Sequence, residues 1–313
     1  MDSVLNAALP IFALIFVGFW VSKRGILGTA ATESLNNFVV WLALPALLFQ
    51  ATAQITADQL AHFSFMAAFG GGAIITFVLS FLLDRQPSSH RLADRTIEGL
   101  DAGYANTGFM GIPLCLVAFG PAGLPPAIIS TIMTACVLFA GAIVMIELDL
   151  QSGTNLAKTL RKVGWSLARN PLLVSPVLGF AYAATGLALP APVLRFTTLL
   201  GNAATPCALV TIGLFLAQSG SGLQRPGTVA RLVALKLLAQ PAITALLAFG
   251  VFHMPPLWAN SAVLLGALPI GTGPFMLAKL YNREAGVTSS AILASTVLSV
   301  ITISLLVAWF GQV

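Results

Sequence analysis

The sequence predicts an all-α polytopic membrane protein: ten transmembrane helices as two inverted five-helix repeats, with helices 4 and 9 broken and crossing. Three observations predict this. First, only 8% of the 313 residues are charged and 58% are hydrophobic, with a mean hydropathy of +0.93; soluble domains carry about 25% charged residues. Second, basic residues gather in alternate connections. Third, prolines recur at one offset of 161, pairing Pro10 with Pro171, Pro45 with Pro206 and Pro113 with Pro274.

Apolar runs of roughly 20 residues suit a bilayer core. They fall at about 3–22, 33–53, 62–83, 96–119, 125–149, 170–188, 193–218, 228–252, 256–279 and 286–310. The first run lacks a basic leader and a clear small-residue cleavage site, so it is expected to be a permanent span. Span 2 holds Pro45 and ends at Gln50 and Gln54, expected either as glue between helices or as a polar vestibule. In span 3, Gly70, Gly71 and Gly72 are expected to let helices approach closely.

Span 4 contains GYANTGFMGIPL, residues 103–114, and cannot be one regular helix. Its glycines weaken a helix, and Pro113 removes a backbone donor and clashes with the preceding turn. Lipid-exposed broken backbone is prohibitively expensive, so the break is expected to be buried or to line a wet cavity. Span 5 ends in Glu147 and Asp149. A connector at 150–169 carries Lys158, Arg161, Lys162 and Arg169, and is expected to lie at the interface with Trp165 at headgroup depth.

The second half repeats the plan. The offset of 161 also takes Gly18 to Gly179 and Ala43 to Ala204. Five spans per half is an odd number, so the second half enters the membrane from the opposite side. Interrupted helices at matching places of an inverted repeat are the sequence pointer to a secondary transporter. The partner of the first break is GALPIGTGPFML, residues 266–277.

Connections after spans 1, 3, 5, 7 and 9, with their adjoining ends, hold 13 of the 15 Lys and Arg residues. Arg195 lies on the other side and Lys236 inside span 8. The positive-inside rule puts those connections in the cytoplasm and both termini outside. The net charge of +5 is therefore assigned to membrane topology, and no nucleic-acid partner is expected. Cys115, Cys136 and Cys207 sit in apolar runs without metal-ligand spacing and read as small buried hydrophobes. His62, His90 and His253 fall in loops or at span ends. No HExxH, nucleophile elbow or paired intramembrane aspartate is present, so neither an enzyme nor a metal site is expected.

Candidate substrate contacts follow from the breaks. Half-helix N-termini carry partial positive charge and favour an anion. Asn106 has amide donors and an acceptor at the first break, although it would also serve as a plain helix cap. Thr107, Gly108 and Pro113 flank it. The second break offers Thr272, Gly273 and Pro274 but no asparagine, so a lopsided site is expected. Pro45 and Pro206 kink spans 2 and 7, with Asn202 and Thr205 as wall residues. Lys236 is expensive at its depth; Asp101, Glu147 and Asp149 are the candidate partners, for an ion pair or a coupling switch.

The run NTGFMGIPL at 106–114 resembles the first crossover of the auxin efflux carrier family. The run LPIGTGPFMLAKLYNREAGVTSSAILASTVLSVIT at 268–302, WLALPALLF at 41–49 and KLLAQP at 236–241 are also similar to it. The resemblance spans essentially the whole chain. It implies a fold like that of the bile-acid symporters and sodium/proton antiporters. Helices 1, 2, 6 and 7 would form a scaffold, and helices 3–5 and 8–10 a transport domain. Domain limits would be 1–149, a cytoplasmic connector at 150–169, and 170–313. It implies organic-anion cargo, auxin in plants and malate- or malonate-like acids in bacteria, with the crossover asparagine at Asn106 and crossover prolines at Pro113 and Pro274. The second crossover departs from the pattern in its extra Gly-Thr-Gly run.

The function expected is a secondary carrier for a small carboxylate in the plasma membrane, the inner membrane of a bacterium, working by alternating access. The alternatives are a ligand sensor that moves nothing and an ion-coupled cation exchanger on the same fold. No cofactor is expected; proton or sodium coupling stays open. Any homodimer would form through the scaffold helices.

Overall fold

A computed structural model describes residues 2–54, 62–84, 91–150, 161, 165, 168–169, 171–218 and 224–310. Regular structure among them is helical, apart from one isolated antiparallel bridge. In chain order the helices are α1 (Asp2–Lys23), α2 (Thr29–Ala53), α3 (Phe63–Leu82), α4 (Leu92–Gly103), α5 (Ile112–Phe119) and α6 (Leu124–Leu150). They continue with α7 (Pro171–Ala183), α8 (Ala191–Gln218), α9 (Pro226–Val251), α10 (Pro256–Gly266), α11 (Gly273–Leu280) and α12 (Gly286–Phe310). Most of the connector expected at 150–169 lies outside the described residues.

Six of these helices, α2, α3, α6, α8, α9 and α12, are long and apolar enough to cross a membrane; Ala13–Lys23 and Val174–Ala183 are shorter apolar stretches. The expected fourth and ninth spans miss that length for a physical reason. Each is split: α4 stops at Gly103 and α5 begins at Ile112 after a wide turn at Thr107–Gly111, while α10 stops at Gly266 and α11 begins at Gly273. Pro226 and Pro256 open α9 and α10 at the first helical position, where a missing N–H leaves no bond unmade.

Three helices widen into π turns just before a proline. Val39–Ala43 precedes Pro45, Thr107–Gly111 precedes Pro113, and Leu235–Ala239 precedes Pro241. A proline denies the carbonyl four residues back its usual partner, and the π turn absorbs that defect while the chain stays helical.

The chain divides into two compact units. The first comprises Met1–Pro10, Phe63–Thr154 and Ser219–Val313; the second comprises Ile11–His62 and Asn155–Gln218. In the second unit, glycine sets the spacing of helices. A Cβ on Gly18 of α1 would fall on the Val210 carbonyl of α8, and one on Gly179 of α7 would lie 2.6 Å from the Phe49 carbonyl of α2. Gln50 accepts a hydrogen bond from Thr198 at 3.2 Å, and Gln218 donates to Thr32 at 2.8 Å. Gln50 thus acts as glue between helices, whereas Gln54 ends α2 in an exposed position.

In the first unit the glycines of α3 serve close packing. A Cβ on Gly70 would meet Met133 of α6 at 2.6 Å, one on Gly71 would touch Leu247 of α9 at 3.0 Å, and one on Gly72 would collide with Thr244 of α9. Phe65 stacks on Phe69 and takes the edge of Trp258 of α10, with ring centroids 5.3 Å apart. This packing brings α3, α6 and α9 around the two broken helices.

Candidate crossover site

The two breaks meet. Ala105 and Ile270 form the antiparallel bridge. Asn106 N–H donates to the Pro269 carbonyl at 3.0 Å, and Gly271 N–H donates to the Tyr104 carbonyl at 3.0 Å. Ile270 N–H is taken by Ser295 Oγ of α12 at 3.1 Å. Backbone freed by breaking each helix is thereby paired with the other, as a buried break requires. Glycine is needed at the second break because the Tyr104 ring lies over it: a Cβ would approach that ring within 2.9 Å at Gly271 and 2.6 Å at Gly273.

Each break leaves a carbonyl end and an N–H end. The carbonyl ends are those of α4 and α10, and both are capped from one helix. Gln240 Nε2 of α9 donates to the Gly103 carbonyl at 3.1 Å. Lys236 Nζ, four residues earlier, donates to the Gly266 carbonyl at 2.7 Å. Both side chains are fully buried. Sequence reading sought an acidic partner for Lys236 and missed Gln240 altogether. The partner is a backbone carbonyl with partial negative charge at a helix C-terminus. No ion pair to Lys236 occurs among the described residues. Asp101, also fully buried, accepts from Thr288 Oγ1 at 2.8 Å, and Glu147 accepts from Tyr281 Oη at 2.9 Å.

The N–H ends begin at Thr107 and Gly273, within three residues of the bridge. No side chain caps either one: Asn106 and Thr272 stand at the cap positions without a capping hydrogen bond. Asn106 is 2% exposed, and its Nδ2 has no partner. A buried, unpaired amide donor costs about 1–3 kcal/mol, so capping does not account for this residue. Thr107 Oγ1 is held 2.8 Å from Thr134 Oγ1, which in turn bonds the Ser130 carbonyl. Gly108 and Thr272 are half-buried, Pro274 is buried, and Pro113 occupies the second position of α5.

The remaining sequence candidates belong to the second unit. Pro45 is half-buried in α2, and Asn202 and Pro206 are exposed on α8. In the first unit a cleft of about 390 Å³ opens beside α4 and the start of α12, lined by Asp94, Glu98, Arg225, Arg283 and Thr288 among others. Three ion pairs surround it. Arg231 meets Glu98 at 2.6 Å, Arg283 Nε donates to Asp94 at 2.8 Å, and Arg225 lies 3.8 Å from Glu284. Asp94 holds the Arg283 guanidinium above its usual pKa. Thr288 joins this cleft to Asp101.

Residues 3–307 match the family of membrane transport proteins. A protein of Rhizobium meliloti (strain 1021) named "Putative malonate transporter" is 30% identical over 306 residues, covering 97% of this chain and 95% of its own. An uncharacterised transporter of Methanocaldococcus jannaschii is 24% identical over 310 residues, covering 96% of this chain and 97% of its own. A rice protein, Oryza sativa subsp. japonica, named "Probable auxin efflux carrier component 5c" is 30% identical over 164 residues, covering 49% of this chain and 42% of its own.

Proposed function

Because this chain belongs to the membrane transport protein family, that of the auxin efflux carriers, we propose that it is a secondary carrier moving a small carboxylate by alternating access at the crossover. Membership makes it a multi-pass membrane transporter with a small-molecule substrate. The observation that carries the anion reading is the asymmetry of the caps. Lys236 and Gln240 neutralise both carbonyl ends, while both N–H ends lack side-chain caps. The field left over is positive, and Asn106 Nδ2 is a free donor within it. A dicarboxylate of malonate size is the first substrate to try, since a relative along almost the whole chain is named for malonate.

The ten-span inverted repeat belongs to this proposal. In its support, Phe49 and Val210 are themselves 161 apart, as are Gly18 and Gly179. The contact of Gly18 with Val210 and that of Gly179 with Phe49 are therefore one contact made twice with the halves exchanged. The unit containing the crossover is our transport domain and the other our scaffold. The orientation with both termini outside rests on the distribution of Lys and Arg, and the bacterial inner membrane on the likeness to the Rhizobium protein.

The test is flux. Purified protein in liposomes is expected to accumulate radiolabelled malonate or a related mono- or dicarboxylate down an imposed gradient. Carboxylate binding without flux would make it a sensor, and flux of cations alone would make it an exchanger; either overturns the reading.

A further inference from the structure

Asp101 lies in the last turn of α4, two residues before the break, and is fully buried. Its Oδ2 accepts from Thr288 Oγ1 of α12 at 2.8 Å, while its Oδ1 has no partner among the described residues. A buried carboxyl is stable either beside a cation or carrying a proton. No basic side chain reaches Asp101 among the described residues, because those around it are engaged elsewhere. Arg231 of α9 holds Glu98 and the Ser80 carbonyl, and Lys236 ends on the Gly266 carbonyl. Arg283, just before α12, holds Asp94, and Lys279 of α11 stands over the Phe275 ring. On α4 itself Arg95 lies 3.4 Å from Asp84, and Glu98 adds only a like charge. The acids of α6 are also occupied: Glu147 accepts from Tyr281, and Asp149 from the Ala93 N–H. Neither α3 nor α12 carries a titratable side chain.

Thr288 is where this carboxyl meets the cleft of about 390 Å³. A hydroxyl is donor and acceptor at once. Water in the cleft can give a proton to Thr288 Oγ1 as Thr288 passes its own to Asp101 Oδ2, and the reverse steps release it. Only O–H bonds form and break, and the hydroxyl is restored each time. We propose that Asp101 is a proton-binding site loaded from the cleft through Thr288, and that its proton is the coupling ion of the carrier. Gaining or losing that proton changes the charge in the last turn of α4, beside the break where both crossover segments are paired. The coupling role rests on the transport reading above; the proton site does not.

The proton site is tested without substrate. Infrared difference spectra of the purified full-length protein in liposomes, in acidic and alkaline buffer, report the C=O stretch of protonated carboxyls. Wild type should show a titrating band that shifts in D2O and is missing from Asp101→Asn. Thr288→Val, which keeps the shape and loses the hydroxyl, should move that band and slow its shift in D2O. A spectrum with no titrating band that Asp101→Asn removes would overturn the site. If Asp101→Asn does not fold, Thr288→Val decides, and an unmoved band overturns the assignment. Coupling is read from flux. A transmembrane pH gradient should drive malonate accumulation in wild type, a protonophore should abolish it, and Asp101→Asn should respond to neither. Wild-type flux indifferent to the gradient, or gradient-driven accumulation in Asp101→Asn, would overturn the coupling role. A wild type that moves no carboxylate would defeat the transport reading and the coupling role together, and the infrared result would still decide the proton site.

Discussion

Replacing Asn106 with alanine separates a binding role from a structural one, because the two move different observables in opposite directions. The side chain makes no capping bond, is 2% exposed, and leaves Nδ2 unpaired. Removing it from the empty protein therefore breaks no cap and relieves a buried donor that costs about 1–3 kcal/mol. Asn106→Ala is expected to match or exceed the wild type in apparent melting temperature. A bound carboxylate would satisfy that donor with a charged acceptor, a bond worth about 1.5–3 kcal/mol. Its loss should weaken binding by roughly 10- to 150-fold, at 1.4 kcal/mol per decade. Asn106→Asp, which sets a carboxylate against the incoming anion, should abolish binding. The assay is ligand-induced thermal shift across a malonate titration, with melting of the ligand-free protein as the control. An Asn106→Ala protein that melts several degrees lower yet binds normally would refute the reasoning and return Asn106 to a cap.

Further outcomes can be checked by the same means. Gly18→Leu and Gly179→Leu should both lower the melting temperature, the first by driving a side chain into the Val210 carbonyl and the second into Thr52 Oγ1 and the Phe49 carbonyl; overpacking of this kind costs about 1–3 kcal/mol or more. An unchanged melting temperature in either variant would refute the close approach of the helices. Arg231→Ala should destabilise more than Arg283→Ala: the Arg231–Glu98 side chains are 16% and 10% exposed, against 22% and 27% for Arg283–Asp94. The more exposed pair is expected to contribute about 1 kcal/mol or less and to fade in high salt. Thr107→Val removes the bond to Thr134 and should lower stability by about 1 kcal/mol, read as a small downward shift in melting.

Much of the helical plan was legible because apolar length is a strong signal. The run at 62–83 became Phe63–Leu82, and 286–310 became Gly286–Phe310. Both breaks were legible from glycine and proline, and their pairing from the offset of 161. What the sequence withheld was backbone chemistry. A search for the partner of Lys236 looks for a carboxylate, whereas the Gly266 carbonyl carries no residue identity. Gln240 was overlooked for a related reason, since its target is the Gly103 carbonyl. The signal available was its position: an amide four residues after a buried lysine, immediately before Pro241, in a largely apolar span. The hydroxyl partners Thr134, Thr288 and Ser295 lie 27, 187 and 25 residues from theirs, beyond any local pattern. At α4, α5, α10 and α11 a broken span leaves two short helices, as the glycines and prolines of both stretches predict.

The π turns ahead of Pro45, Pro113 and Pro241 bear on how such helices can change. Each inserts one residue into the winding, and one residue of an α-helix is about 100° of rotation. Everything beyond the turn is therefore set at a different azimuth from what an unbroken helix would give. A proline here is a phase step along the rod: it decides which way the far half of the helix faces. Relaxing the turn at Leu235–Ala239 to plain α-helix would swing Gln240 and Thr244 about the axis relative to the residues before it. The aim of the α9 face that reaches Gly103 and Gly266 is thus set by winding number as well as by the identity of the side chains on it.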